Sequence, residues 1–138
     1  MITNTGMTIF NKYIENRETK YQKSYIEKVF WEDSKGSNVL KSGLSGADSS
    51  IVYIPFDNVD NYVTPKSFEK NKVNNLFDHK VTFQQEDIIV KGKVEEEFTT
   101  IRNLEDNYDF VRVITSVDTL DFGNPRLHHW KVGAKWYF

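Results

Sequence analysis

The sequence predicts a mainly β fold: a small antiparallel barrel or sandwich, β-rich α+β, with one or two short helices. Three observations point there. Apolar residues recur in short runs of period two, rich in rings and β-branched side chains. Turn residues separate these runs at short spacing, which leaves no room for the helical crossovers of a parallel sheet. Aromatic residues make up 14% of the chain against 38% hydrophobic in all, so the core is built from few, large side chains that suit strands.

The elements follow in order. With 138 residues the chain has the size of one domain, and residues 1–138 are read as a single β-rich unit. Residues 1–12 are expected to be a flexible N-terminal arm, since the leader before Met7 is polar; Met1 and Met7 are both candidate starts. KYQKSYIEKVFWED, residues 20–33, reads as the first strand. Tyr21, Tyr25, Val29 and Trp31 lie on one alternation, and Ile26 and Phe30 on the other. Helical spacing competes there, but the ring content favours a strand. DSKGSN (33–38) is a turn, residues 39–44 a short weak strand, and SSIVYIPF (49–56) a strong strand that Pro55 ends or places at an edge. Thr64-Pro65 has the form of an N-cap with proline at the first helical position, so a short helix is expected over 65–71.

The polar stretch 57–85 is expected to be a mobile loop region that engages partners. DIIVKGK (87–93) is a strand with a bulge or close approach at Gly92. Beyond it, alternation puts Val94 and Phe98 on the inner face with Glu96 between them. Thr100 caps a second helix over 101–108, whose Ile101, Leu104 and Tyr108 share a face. FVRVITSVDTLDF (110–122) is the clearest strand, with Val111, Val113, Thr115 and Val117 on one side and Phe110, Arg112 and Ile114 on the other. Gly123-Asn124-Pro125 is a turn. LHHWKVG (127–133) closes the sheet, with Trp130 in the core and one histidine on each face. The aromatic tail 134–138 is either the final edge of the sheet or an exposed docking patch.

Composition excludes several function classes. Net charge is −2, from 18 basic and 20 acidic residues, so there is no electrostatic footprint for nucleic acid. Trp130 and Trp136 with Arg126, Lys131 and Lys135 offer only a weak single-strand-binding pattern, and direct nucleic-acid binding is not expected. With no cysteine there is no disulfide and no thiolate zinc site. No apolar run nears the roughly 18 residues of a membrane span, and the leader lacks the pattern of a secretory signal. An intracellular product without membrane association is expected.

No reaction is legible. His128 and His129 are neighbours on a strand and point to opposite faces, so they do not share a metal, and no metal site or cofactor is expected. There is no G-x-S-x-G elbow and no phosphate loop. Glu86-Asp87 and the Glu95, Glu96, Glu97 run read as solvated charge rather than acid–base machinery. No catalytic residue is expected. The candidate partner-binding residues are Trp136, Tyr137, Phe138, Arg126, Glu95, Glu96 and Glu97.

The stretches FNKY (10–13), FWEDSKGSNVLKSGL (30–44), ADSSIVYIPF (47–56), YVTPKSF (62–68), EDIIVKG (86–92), ITSVDTLDFGNP (114–125) and HHWKVG (128–133) occur in this order. From Met7 onward the chain resembles a family of small proteins from the structural gene modules of tailed phages and prophages of Gram-positive bacteria. The resemblance implies a minor capsid or head–tail connector or completion role, with other phage structural proteins as partners and a homo-oligomeric ring as the assembly. It implies residence in the host cytoplasm and then the virion. DIIVKG with the closing antiparallel pair is also similar to small β-barrel head-closure proteins. The leader before Met7 and the aromatic end after Gly133 depart from the family. The alternative expectation is a phage-encoded inhibitor of a host defence effector, of the anti-CRISPR type, in which Glu95, Glu96 and Glu97 with Glu105, Asp106 and Asp109 form an acidic face.

Overall fold

The computed structural model describes residues 2–34, 39–40, 43–44, 49–73, 80–97 and 100–136. Its first two strands, β1 (Thr5–Glu15) and β2 (Glu18–Ser34), form a long hairpin. Asn16 and Arg17 close it, both at positive φ (53° and 67°), a turn whose twist matches that of the flanking strands. β5 (Ser49–Pro55), β6 (Ile88–Lys91), β7 (Val111–Leu120) and β8 (His129–Trp136) complete a closed antiparallel barrel, in the order β1-β2-β5-β8-β7-β6 and back to β1. The predicted β-rich antiparallel fold is observed, and of the two expected architectures, barrel or sandwich, it is the barrel. The expected single strand over 39–44 is instead a small separate hairpin of β3 (Val39–Leu40) and β4 (Gly43–Leu44).

The expectation of an arm over residues 1–12 is corrected. Residues 5–12 lie in β1, where Met7 and Ile9 enter the barrel and Phe10 is buried on its outer face. A strand covered on both faces has no polar side to advertise it. β6 is buried the same way, which accounts for its unbroken Ile-Ile-Val. Ile89 points inside, while Ile88 and Val90 join Phe10, Val94, Leu104 and Val111 in a second cluster outside. α2 (Ile101–Asn107) covers that cluster, its start capped by Thr100 Oγ1 accepting from Asn103 N at 3.1 Å. Phe98 lies outside the described residues, so its expected inward placement beside Val94 has no structural counterpart here.

Two bulges overturn the simple alternations. Between Thr5↔Val29 and Met7↔Ile26, β2 carries an extra residue, so Ile26 and Val29 both face the interior while Tyr25 is exposed. A second irregularity between Ile114 and Ser116 lets Ile114 and Val117 pack on the same core and leaves Thr115 outside it. Val111 belongs to the outer cluster and not with Val117.

The expectation of a mobile loop over 57–85 is also corrected for the described residues. After the 3-10 turn Phe56–Asn58, the chain folds back across one barrel mouth: Val63 N donates to Val81 O at 2.8 Å, and Val81 N to Asn61 O at 3.0 Å. Val59, Phe68, Val81 and Phe83 are buried. Sparse apolar residues in a polar stretch anchor it, each contributing about 1.5–3 kcal/mol when fully buried. α1 (Pro65–Val73) follows Thr64, whose Oγ1 accepts from Ser67 N at 3.3 Å.

Candidate functional site

The covered mouth lies where β5 and β7 end and β8 begins. Trp130 is at its centre. The Phe56 and Tyr62 rings lie 4.2 and 4.4 Å from it between centroids, and Phe83 lies at 5.1 Å. Three separate segments supply these rings, so the cluster ties the crossing chain to the barrel. A cleft of about 390 Å³ opens here, lined by Phe56, Tyr62 and Trp130 and rimmed by Asp60, Thr119 and Asp121. The 3-10 turn Pro125–Leu127 follows on the same rim, with Phe122 and Leu127 exposed. Trp130 Nε1 and Thr82 Oγ1 are buried without a hydrogen-bond partner. Both approach the Tyr62 hydroxyl without reaching bonding geometry; burial pushes that hydroxyl up, against their opposing influence.

A second polar site sits behind the mouth. Asp87 is fully buried and accepts from Asn11 Nδ2 at 2.7 Å, Lys12 N at 2.8 Å and Gln84 N at 3.3 Å. Burial pushes its carboxyl up to about 7, and the bonds from Lys12, Asn11 and Gln84 pull the other way. It pins β1 to the turn before β6, where Glu86 takes φ 75°. The sequence reading placed Asp87 in a solvated charge pair. The signal that marks it is position: it is the acid directly preceding the apolar Ile-Ile-Val run. The opposite barrel end also has a polar floor. Asp33 accepts from Trp31 Nε1 at 2.8 Å and from Ser50 Oγ, and buried Arg112 donates through Nε to that Ser50 Oγ at 3.2 Å. Lys91 Nζ and Arg112 Nη2 stand 3.9 and 4.0 Å from the Asp33 carboxylate.

A family profile matches residues 2–135, nearly the whole chain. The chain belongs to DUF6751, a family of unknown function. No curated protein and no solved structure matches it at a significant level.

In this DUF6751 chain the partner-binding residues predicted from sequence are scattered. Arg126 is exposed on the mouth rim. Trp136 ends β8 at the opposite barrel end, beside a pocket lined by Glu105, Tyr108, Asp109 and Val111. Six residues of strand, roughly 20 Å, separate it from Trp130, so the two tryptophans form no common stacking surface. Tyr137 and Phe138 lie outside the described residues. Glu95, Glu96 and Glu97 are exposed, and Tyr108, just past α2, donates to Glu96 Oε2 and so holds that carboxyl below its ordinary range. Lys23 Nζ donates to the Glu95 and Glu96 carbonyls at 3.2 Å each.

The histidines divide differently from the expectation of one per strand face. His129 opens β8, donating from Nδ1 to Leu127 O at 2.8 Å. His128 precedes the strand, with its ring edge 5.6 Å from Phe56 and Nε2 donating to Gly123 O at 3.3 Å. Among the described residues no three His, Asp or Glu side chains converge as a metal site, and no helix is long and apolar enough to cross a membrane.

Proposed function

We propose that this protein is a non-enzymatic assembly component of a tailed phage or prophage, acting through protein–protein contacts as a minor capsid or head–tail connector or completion protein. The supporting observation is its exposed apolar surface. Phe122 is 76% exposed, Leu127 58%, Ile14 54% and Trp136 46%. Exposed apolar side chains mark a docking place where they form a contiguous patch. A closed barrel limits exposed strand edges and provides a rigid body for ring packing, in which one patch of a subunit meets a different patch on its neighbour. On this reading the partners are other phage structural proteins, and the protein passes from host cytoplasm into the virion.

One observation favours a second reading, an inhibitor of a host defence effector that blocks nucleic-acid binding. The Tyr108–Glu96 bond sets Glu95, Glu96 and Glu97 next to the acids of α2 and Asp109. Such a local acidic face imitates a phosphate backbone. One experiment separates the two: mass spectrometry of gradient-purified particles of a phage carrying this gene, counting copies per particle. A fixed copy number like that of other connectors is expected. Absence from particles, with abundant protein in the infected cell, sinks the assembly reading and directs the search to host defence complexes.

A further inference from the structure

We propose that the cleft at the covered mouth is a docking site for a lysine or arginine side chain presented by an apolar segment of a partner protein. Four features carry this. The floor is aromatic: Phe56 and Tyr62 are only half-buried, and ring faces attract cations most strongly where water is displaced. The rim carries two exposed carboxylates, Asp60 and Asp121, and among the described residues no cation lines the cleft. Neither carboxylate has an ion-pair partner among the described residues. Arg126, in the same turn as Leu127, makes no ion pair with either of them. Phe122, exposed and next in the chain to the rim residue Asp121, gives an apolar shoulder that a lone small cation does not use but a flanking leucine or valine does. Finally, Trp130 also lines the cleft and packs 4.2 and 4.4 Å from Phe56 and Tyr62 between ring centroids, so the aromatic floor is held in place.

The alternatives fit less well. A nucleic acid or other polyanion is repelled by Asp60 and Asp121. A neutral polyol finds hydrogen-bond partners at the rim but leaves the apolar shoulder bare. A second copy of the chain is an outcome of the test.

This inference rests on the reading of the protein as a docking component, and its test is separable from that reading. The full chain, labelled with nitrogen-15, is titrated with the peptide acetyl-Leu-Arg-Leu-amide, and then with acetyl-Leu-Gln-Leu-amide and with maltose. The readouts are the Trp130 indole N–H and the backbone amides of Asp60 and Asp121. The arginine peptide is expected to shift all three, and the glutamine peptide to bind about tenfold more weakly or worse. The double variant Asp60→Asn/Asp121→Asn, which changes only exposed side chains, is expected to erase that preference while keeping the native spectrum. Equal shifts with both peptides, shifts with maltose alone, or no shift at millimolar arginine peptide overturn the proposal. So does a self-associated chain that the double variant returns to monomer, since the occupant is then a second copy. A protein found at fixed copy number in particles but silent in this titration refutes the cleft and leaves the assembly reading standing.

Discussion

At the scale of single residues, Asp87 has the most unusual chemistry. Its carboxyl titrates near 7 in the folded chain, raised from 3.8. The folded state therefore keeps a proton that the unfolded chain has already released. This contribution to stability is fully present below the unfolded value and is lost as pH rises through about 7. Its full size is on the order of 4 kcal/mol. The urea midpoint is expected to fall as pH rises from about 4 to about 7, and Asp87→Asn to flatten that slope. The amide also sets a donor against the donors of Asn11 and Lys12, so the variant is expected to be less stable at pH 6 by about 1–3 kcal/mol. A wild-type midpoint that does not move over this range, or an equal slope in the variant, refutes the account. Asp87 was hard to read in the sequence because its donors come from residues 11, 12 and 84, and its one local mark is its place directly before the Ile-Ile-Val run.

At the scale of elements, β7 and β8 show what an alternating pattern conveys and what it hides. The run of β-branched residues from Val111 specifies a strand, and the Gly-Asn-Pro turn specifies its end. The irregularity at Thr115 is invisible, since Val113, Thr115 and Val117 keep a regular spacing through it. Its trace is Gly133, which pairs with Ser116: a Cβ there would stand 2.5 Å from Ser116 Oγ but 3.8 Å from Ser116 Cβ. Gly133→Ala is therefore expected to cost about 1–2 kcal/mol, and Ser116→Ala/Gly133→Ala to recover most of it. Urea denaturation of the four proteins measures this, and strict additivity would falsify the close-approach account. The second helix was fully legible, because its cap and its three core residues lie within nine positions from Thr100 to Tyr108.

At the scale of the molecule, an antiparallel barrel or sandwich was legible, and the decorated mouth of the barrel was not. Short strands without crossovers have few ways to hide their edges, and closure is the simplest. The mouth combines Phe56, Tyr62, Phe83 and Trp130, rings that a reader of the sequence assigns one by one to core or surface. Only the return of the chain across the barrel brings them together. One further property follows from how that barrel is shut. β1 meets β6 through four residue pairs, Met7–Phe10 against Ile88–Lys91, and the neighbouring Thr8–Val94 bond spans 86 positions. Every other ladder joins strands closer along the chain or runs longer. Among the barrel ladders this seam joins strands about as far apart as any with few pairs to hold them, so it forms late and parts first. Amide exchange is expected to show it: the protons of Ile88 and Val90, which bond to β1, should exchange faster than those of Val52 and Val132, despite equal burial. Uniform protection across these four would mean that the barrel opens only as a whole. If the seam does part first, the chain briefly becomes an open six-stranded sheet with two bare edges, ready to close on another copy instead of on itself.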